Sequence, residues 1–248
     1  PIPQEIAGIP KHIRVHLLMR LRDLHIASLE GAKLHQTVDL MIRESYRYRD
    51  PMSPQTWGIV GGEALAHKTP RAPAIAAVGV GHSGTGKTES ALRSCNSYPT
   101  PVIIHPSFPK IVGAHYQVVY QSVDVPSSGR SEDLAANLMN TWESTLFKHA
   151  PMHCGRFSAT LARENRHGQK MLDEWRQVAI THFLGLLHLD EVQNFFKLPS
   201  LAKRRRKSAN PEDLELSIIE DQCLKWILTL TNTWQVPVFL TGTPDGVG

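Results

Sequence analysis

The sequence predicts an α/β fold in which helices flank a parallel β-sheet. Three observations lead to this prediction. Short apolar runs at 74–80 and 183–189 are typical of strands that are buried on both faces. Segments with apolar residues at helical spacing alternate with such runs, which is the pattern of βαβ units. A glycine-rich turn at 81–88 lies directly between the first apolar run and a helical segment.

Composition limits the classes of protein that remain. The 248 residues suffice for one domain with appendages or for two small domains. No apolar run approaches the roughly 20 residues that cross a bilayer, so we expect a cytoplasmic protein with no membrane partner. Three scattered cysteines suggest neither a disulfide framework nor a zinc site. A net charge of +4 permits contact with nucleic acid but does not require it.

The first part of the chain is predicted to be helical. Apolar residues recur at helical spacing from Ile13 to about Ser45, and Gly31 is expected to divide them into two helices. Asp50-Pro51 is expected to end the second helix, because the residue before a proline resists the α conformation. The stretch 51–73 is predicted to be a connector. We therefore expect a helical extension over 1–52 and an α/β core over 53–248.

Strands and helices then alternate through the core. A second strand is predicted over 117–124, and Ser131 is expected to cap the following helix with its hydroxyl. Four large apolar residues at four-residue steps form the buried stripe of that helix. The stripe consists of Leu134, Leu138, Trp142 and Leu146. The remaining predicted elements are helices over 164–180 and 211–231, and strands over 183–189 and 236–240.

The glycine-rich turn matches the phosphate-binding pattern G-x-x-x-x-G-K-[ST] in full. Its glycines allow successive backbone N–H groups to point at phosphates, and the helix that follows adds a partial positive charge. We expect Lys87 to neutralise the β and γ phosphates of ATP and the Thr88 hydroxyl to reach Mg²⁺. The predicted cradle consists of Gly81, His82, Ser83, Gly84, Thr85, Gly86, Lys87 and Thr88.

A second motif, Asp190-Glu191, ends the apolar run at 183–189. A carboxylate at the end of a buried strand is suited to the metal of a P-loop site, so Asp190 is a predicted magnesium ligand with Thr88. Glu191 is predicted to be the base that orients the attacking water. His188 within the strand is predicted to be a core residue without a catalytic role.

A third motif, Thr241-Gly242-Thr243-Pro244, follows a strand that we expect to lie between the strands of the two phosphate motifs. A polar residue there can contact the γ phosphate or the lytic water. Thr243 is the first choice for this role and Thr241 the second. An ordinary turn explains the same residues equally well.

Together these motifs resemble those of AAA+ ATPases, in which a P-loop, Leu-Asp-Glu and a strand such as Val-Pro-Val-Phe-Leu-Thr-Gly-Thr-Pro follow in this order. The sequence is most similar to the transposition regulators, the group of TnsC with TniB, IstB and MuB. The run from Gly185 to Gln193 resembles the Walker B region of TnsC. Met41-Ile42-Arg43, Tyr46, Arg49 and Pro51 resemble its segment upstream of the P-loop.

The resemblance implies a bacterial, ATP-dependent regulator of DNA transposition. Such a protein assembles into rings or filaments on double-stranded DNA and links a target-selector protein to the transposase subunits. Its ATP lies between neighbouring subunits, where binding favours assembly and hydrolysis releases it. The family continues beyond the position of Gly248 with the rest of the core sheet, a helical lid, a sensor arginine and usually an arginine finger.

The resemblance also suggests where DNA would bind: the loop after the second strand and the segment before the next core helix. Candidate phosphate contacts there are Arg130, Arg156, Arg163 and Lys170. The basic run Lys203–Lys207 is interpreted as a solvated loop, and a loop that binds DNA phosphates or a protein partner is the alternative. Two other functions remain open at this point, namely a P-loop kinase and a nucleotide-gated signalling or scaffold ATPase. Asp190-Glu191 favours water as the phosphate acceptor over a kinase substrate.

Overall fold

The computed structural model describes residues 8–17, 19, 26, 28–61, 72–107, 111–164, 167–197 and 217–244. The chain divides into two compact units, with the boundary between Lys33 and Leu34. The first unit contains helix α1 (Lys11–Leu17) and the beginning of helix α2 (Leu29–Glu44). All other elements and contacts below belong to the second unit.

The second unit alternates strands and helices in the order expected of an α/β fold. Its further helices are α3 (Pro54–Val60), α4 (Lys87–Cys95), α5 (Ser131–His149), α6 (Ser158–Leu161), α7 (Gly168–Thr181) and α8 (Asp221–Asn232). Its strands are β1 (Ala76–Val80), β2 (Val102–His105), β3 (His115–Val118), β4 (Tyr120–Asp124), β5 (Leu186–Asp190), β6 (Phe196–Lys197), β7 (Ser217–Ile218) and β8 (Val238–Gly242). No described helix combines the length and apolarity needed to cross a bilayer.

Four strands form one parallel sheet in the order β1-β8-β5-β4. This confirms the predicted fold class and the predicted place of β8 between the strands of the two phosphate motifs. Strands β2 and β3 pair with each other in antiparallel fashion, as do β6 and β7. Because the strands of the main sheet are parallel, the residues that follow β1, β5 and β8 meet at its carboxyl edge.

The sheet is covered on both faces at β5 but not at β1. Ala76, Val78 and Val80 of β1 are exposed, so the prediction that the run 74–80 is buried on both faces was wrong. Leu187 and Leu189 of β5 belong to a large core cluster with Trp142 of α5 and Trp175 of α7, whereas the alternate residue Leu186 belongs to a second cluster. That second cluster includes buried residues of α2 and α4. Successive strand residues point to opposite faces, so the two clusters lie on opposite sides of the sheet. All five residues of β5 are buried, as a strand covered on both faces requires.

Several sequence predictions were wrong in detail. Gly31 lies inside α2 instead of separating two helices, and that helix ends at Glu44, before Asp50-Pro51. The expected connector after residue 50 contains α3. The expected second strand is broken at Val119 into β3 and β4, because β3 pairs with β2 and only β4 joins the main sheet.

Two helix starts also differ from the prediction. Ser131 is the first residue of α5 and not its cap, and its hydroxyl donates to Gln222 Oε1 over 3.4 Å instead of accepting from the first turn. Its backbone N–H donates to the Oε2 atom of Glu220. The last helix, α8, begins at Asp221, and β7 occupies 217–218 within the stretch predicted to be helical. Residues 198–216, with the basic run Lys203–Lys207, lie outside the described residues.

Candidate nucleotide-binding site

The glycine-rich turn leads from the end of β1 to the start of α4. Gly84 and Gly86 have φ angles of 81° and 79°, which side chains with a Cβ rarely adopt. The backbone N–H of Ser90 donates to the carbonyl of Gly86, so the helix begins within the turn. The N–H of Gly81 donates to the carbonyl of Gly242 over 3.3 Å, which joins the turn to the end of β8.

Lys87 curls back over this turn. Its Nζ atom donates to the carbonyl oxygens of Gly81 and His82, over 2.7 and 2.9 Å. The ammonium group therefore lies above the loop whose N–H groups are predicted to cradle phosphates. Carbonyl oxygens are its only partners among the described residues, so an anionic phosphate would be a stronger partner for it.

Thr88 and Asp190 are brought together by the sheet, although 102 positions separate them. The Thr88 hydroxyl donates to the Oδ2 atom of Asp190. A hydroxyl and a carboxylate are hard oxygen donors, and Mg²⁺ in phosphate sites typically takes one or two such protein ligands and fills its other positions with phosphate oxygens and water. These two side chains fit that requirement. No cluster of three or more His, Cys, Asp or Glu residues suited to a metal occurs in the described parts of the chain.

Asp190 is buried, with 3 % of its surface exposed, yet it is held in the ionised form. Burial tends to raise its pKa, but hydrogen bonds from Thr241 and Thr88 outweigh burial, and the pKa lies below its usual value. The Oδ1 atom accepts from Thr241 Oγ1 over 2.5 Å and from the backbone N–H of Glu191 over 2.8 Å. A carboxylate that stays charged in a buried position is suited to bind a cation.

Glu191, by contrast, is exposed. Its backbone is left-handed, with φ of 57°, and this turn directs the chain out of β5 into the 3₁₀ turn Val192–Phe195. The Gln193 side chain donates to the Oε2 atom of Glu191 and accepts from the backbone N–H of Thr243 over 3.2 Å. Gln193 thus links the predicted base to the loop after β8.

An open cleft of about 430 Å³ lies between these motifs. It is lined by Ser83, Gly84, Gly86, Lys87, Thr88, Glu89, Glu191, Gln193, Gly242 and Thr243. Of the two candidate threonines, Thr243 borders the cleft, whereas Thr241 is buried beneath it with 1 % of its surface exposed. The geometry therefore separates the first choice from the second, because the Thr241 hydroxyl is engaged with Asp190 and is not open to a ligand.

The candidate DNA contacts occupy different surroundings. Arg156 pairs with Glu174 over 3.5 Å and Arg130 with Glu132 over 3.7 Å. Arg163 and Lys170 are exposed and form no ion pair with any described residue. The positive charges of these two residues are therefore less neutralised than those of Arg130 and Arg156.

The starts of α5 and α7 touch each other. A Cβ atom on Gly168 would lie only 2.2 Å from Ser131 Oγ, so the first turns of the two helices are in close contact. Arg130 immediately precedes α5, and Lys170 lies in the first turn of α7. Three of the four candidates, including Arg163 in the segment before α7, thus belong to segments next to this contact.

With this geometry established, comparison with known families is informative. An AAA domain family (AAA_22) matches residues 74–247, which include every strand of the main sheet and all three motifs. The chain belongs to this AAA domain family. AAA domains bind nucleotide through a P-loop, usually with Mg²⁺, and in general hydrolyse it. Among curated proteins, none matches the chain.

Some residues of this AAA site were not found by sequence reasoning. No role was predicted for Gln193, although it lies two positions after Glu191 and lines the cleft. Thr241 is predicted only as a second choice for contact with the γ phosphate or the lytic water, and its bond to Asp190 depends on the pairing of β5 with β8. The sequence does contain an indication of the contacts among His188, Thr241 and Asp190, because His188 and Thr241 are polar residues inside otherwise apolar strands.

Proposed function

We propose that this AAA domain binds ATP with Mg²⁺ in the cleft and hydrolyses it. The contact between Thr88 and Asp190 carries the proposal, because it unites the metal-binding residues of two distant motifs. In this assignment the loop N–H groups and Lys87 hold the phosphates, and Thr88 and Asp190 hold the metal. Bound Mg²⁺ would neutralise charge on the phosphates.

For hydrolysis, we assign roles to Glu191 and Thr243. Both border the cleft, Glu191 as the base that orients water and Thr243 as a contact to the γ phosphate or to that water. The Gln193 side chain is bonded to both residues, so a change at the phosphate end of the cleft can be transmitted to Glu191.

A titration with labelled ATP tests the phosphate site. Lys87→Ala removes the ammonium group, and we expect affinity for ATP to fall by about a hundredfold or more, since each charge-assisted bond to phosphate contributes about 1.5–3 kcal/mol. Lys148→Ala at the far end of α5 is the control for removal of one positive charge. Wild-type affinity in Lys87→Ala would refute the assignment.

We further propose that the protein is a regulator of DNA transposition that assembles on duplex DNA and links a target-selector protein to a transposase. The resemblance of its motifs to TnsC and its group supports this proposal. The basic residues beside the starts of α5 and α7 agree with it, because exposed cations and helix N-termini both attract phosphate oxygens. Glu132 lessens the contribution of Arg130, so Arg163 and Lys170 are the principal candidates.

Binding to labelled duplex DNA over a range of salt concentrations tests this proposal. The double variant Arg163→Ala/Lys170→Ala should bind more weakly to all sequences. The slope of log affinity against log salt should become shallower by about 0.9 for each DNA phosphate that the variant no longer neutralises. Lys148→Ala again serves as the control for removal of a positive charge elsewhere. An unchanged slope would remove these residues from the DNA surface.

Electron microscopy then tests assembly. With duplex DNA and a non-hydrolysable ATP analogue, the protein should form rings or filaments that disappear when nucleotide is withheld. Particles that remain monomeric under both conditions would contradict the proposal. Transfer of the γ phosphate to a small molecule instead of water would indicate a kinase.

A further inference from the structure

A chain of hydrogen-bonded polar side chains, half-buried at Ser122 and buried at His188 and Thr241, leads to the carboxylate of Asp190. Ser122 of β4, His188 of β5 and Thr241 of β8 lie on three adjacent strands. Ser122 Oγ is 2.8 Å from His188 Nδ1, and His188 Nε2 is 2.8 Å from Thr241 Oγ1. Thr241 then donates to Asp190 Oδ1 over 2.5 Å. His188 is fully buried and Thr241 is 1 % exposed, so water does not compete for the bonds from His188 to Thr241 and from Thr241 to Asp190.

The direction of every bond in this chain follows from the number of protons available. Ionised Asp190 can only accept, so the single hydroxyl proton of Thr241 is donated to it. The Thr241 oxygen must then accept the bond from His188, which places a proton on Nε2. In a neutral imidazole the other ring nitrogen, Nδ1, then carries no proton and accepts the hydroxyl proton of Ser122. A single tautomer of His188 therefore satisfies the whole chain.

This arrangement determines which oxygen of Asp190 is available. Oδ1 already accepts two bonds, from Thr241 and from the backbone N–H of Glu191. Oδ2 is left facing Thr88, the other predicted magnesium ligand. Without the Thr241 hydroxyl, Oδ1 would have one donor fewer and the carboxylate would be freer to rotate.

We propose that Thr241 and His188 are positioning residues, which hold the Asp190 carboxylate so that Oδ2 faces the magnesium side of the cleft. This inference rests on the proposed binding of ATP with Mg²⁺. Neither side chain lines the cleft, so their effect passes through Asp190. Partners that orient a metal ligand commonly change metal affinity by about 10–100-fold when they are removed.

The experiment compares ATP affinity with Mg²⁺ and with EDTA, using a fluorescent non-hydrolysable ATP analogue. In the wild-type protein, Mg²⁺ should strengthen binding. Thr241→Val keeps the shape of the side chain but removes the hydroxyl. We expect the gain in ATP affinity that Mg²⁺ provides to fall by about tenfold, while the affinity in EDTA is unchanged. Thr241→Ser retains the hydroxyl and should restore the gain.

Two variants of His188 test its hydrogen bond to Thr241. They also keep the inference testable if Thr241→Val folds poorly. The amide of His188→Gln can reach the position of Nε2 and donate to Thr241, whereas the shorter amide of His188→Asn cannot. Asparagine is also one methylene smaller and packs less well, so each variant is judged by its own ratio of ATP affinities with Mg²⁺ and with EDTA, in which the folded fraction cancels. The inference requires His188→Gln to keep more of the gain from Mg²⁺ than His188→Asn.

A measurement without nucleotide provides a further test. Nitrogen-15 NMR of the imidazole should show the proton of His188 on Nε2 in the wild-type protein. A proton on Nδ1 would overturn the inference, because Thr241 would then lack its donor.

The outcomes separate this inference from the proposed function. If Mg²⁺ does not strengthen ATP binding in the wild-type protein, the proposed function fails. If it does and Thr241→Val retains the full gain, only the positioning role fails.

Discussion

At the scale of single residues, Asp190 and Glu191 illustrate how neighbours can be fitted for different tasks. Asp190 is buried, ionised and fixed by hydrogen bonds, whereas the left-handed turn at Glu191 directs its side chain into the cleft. A rigid carboxylate suits a metal ligand. The Glu191 carboxylate accepts a hydrogen bond from Gln193, a partner that a water molecule can replace, and this suits a base that orients water.

Glu191→Gln should separate binding from hydrolysis. The amide keeps the size of the side chain but cannot act as a base, so we expect ATP affinity within about twofold of wild type and hydrolysis at least about a hundredfold slower. Release of inorganic phosphate and a nucleotide titration measure the two quantities. Glu44→Gln, at the exposed end of α2, is the control, and normal turnover in Glu191→Gln would exclude its role as the base.

A second residue-scale prediction concerns His182, which stacks on Tyr116 at a centroid distance of 3.7 Å. Burial lowers the pKa of His182 to about 4, and the nearby His115 and His153 act in the same direction. The ordinary value in an unfolded chain is about 6.5. Between these values the unfolded chain binds more protons, so the free energy of unfolding should decrease as the pH falls from about 6.5 to about 4.

By pH 5 this contribution amounts to about 2 kcal/mol. Urea unfolding at pH 7 and pH 5 measures it. His182→Asn keeps a donor for the Tyr116 carbonyl but does not titrate, so its decrease in stability between the two pH values should be smaller by that amount. An equal decrease in both proteins would assign the pH dependence to other groups.

At the scale of elements, the packing of α5 against α7 depends on Gly168. A Cβ there would lie 2.6 Å from the backbone nitrogen of Glu132 as well as 2.2 Å from Ser131 Oγ. Gly168→Ala should therefore force the two helix starts apart and reduce the free energy of unfolding by about 1–3 kcal/mol.

Thermal or urea unfolding checks this value. Gly31→Ala is the matched control, because Gly31 also lies near the start of a helix and, among the described residues, a Cβ there meets Ser28 Oγ alone, at 3.3 Å. That substitution should be neutral or slightly stabilising, since alanine favours helix over glycine. Equal destabilisation by both substitutions would show that the contact with α5 is not the cause.

Elements with a strong local signal could be predicted from the sequence, and those defined by distant partners could not. The apolar stripe of α5 and the motif strands β1, β5 and β8 were recognised because periodicity and motif lie in the same short segment. The division of 117–124 at Val119 depends on pairing with β2, which no local pattern reveals. Likewise, the sequence ranks Thr243 before Thr241 as a contact in the cleft, but only strand pairing shows that Thr241 faces Asp190.

At the scale of the whole molecule, hydrogen bonds from the buried side chain of Arg49 connect the segment after α2 to the residues just before β5. Arg49 is 5 % exposed, and it donates from Nε to the carbonyl of Ser45 and from Nη2 to the carbonyl of Leu184. Burial lowers its pKa to about 10, so it remains charged at neutral pH. Its charge is stabilised by carbonyl dipoles and by the ring of Tyr46, 5.6 Å away.

Arg49→Lys should therefore be a costly exchange. A lysine cannot reach both carbonyls at once, and we expect the free energy of unfolding to fall by about 2–3 kcal/mol. Arg47→Lys is the control, because Arg47 is exposed and its contacts, an ion pair with Glu44 and the ring of Tyr48 at 5.8 Å, lie at the surface. Urea unfolding of the two variants under the same conditions makes the comparison, and similar stabilities would contradict the anchoring role.

The order of strands in the main sheet has a consequence for synthesis of the protein. Strand β8 is the last of the four along the chain, yet it separates β1 from β5 and contacts both. A nascent chain that has not yet released Val238–Gly242 from the ribosome lacks the strand that brings the two phosphate motifs side by side. Nucleotide can thus stabilise this fold only after β8 has emerged, so the segments synthesised before it must fold without that support.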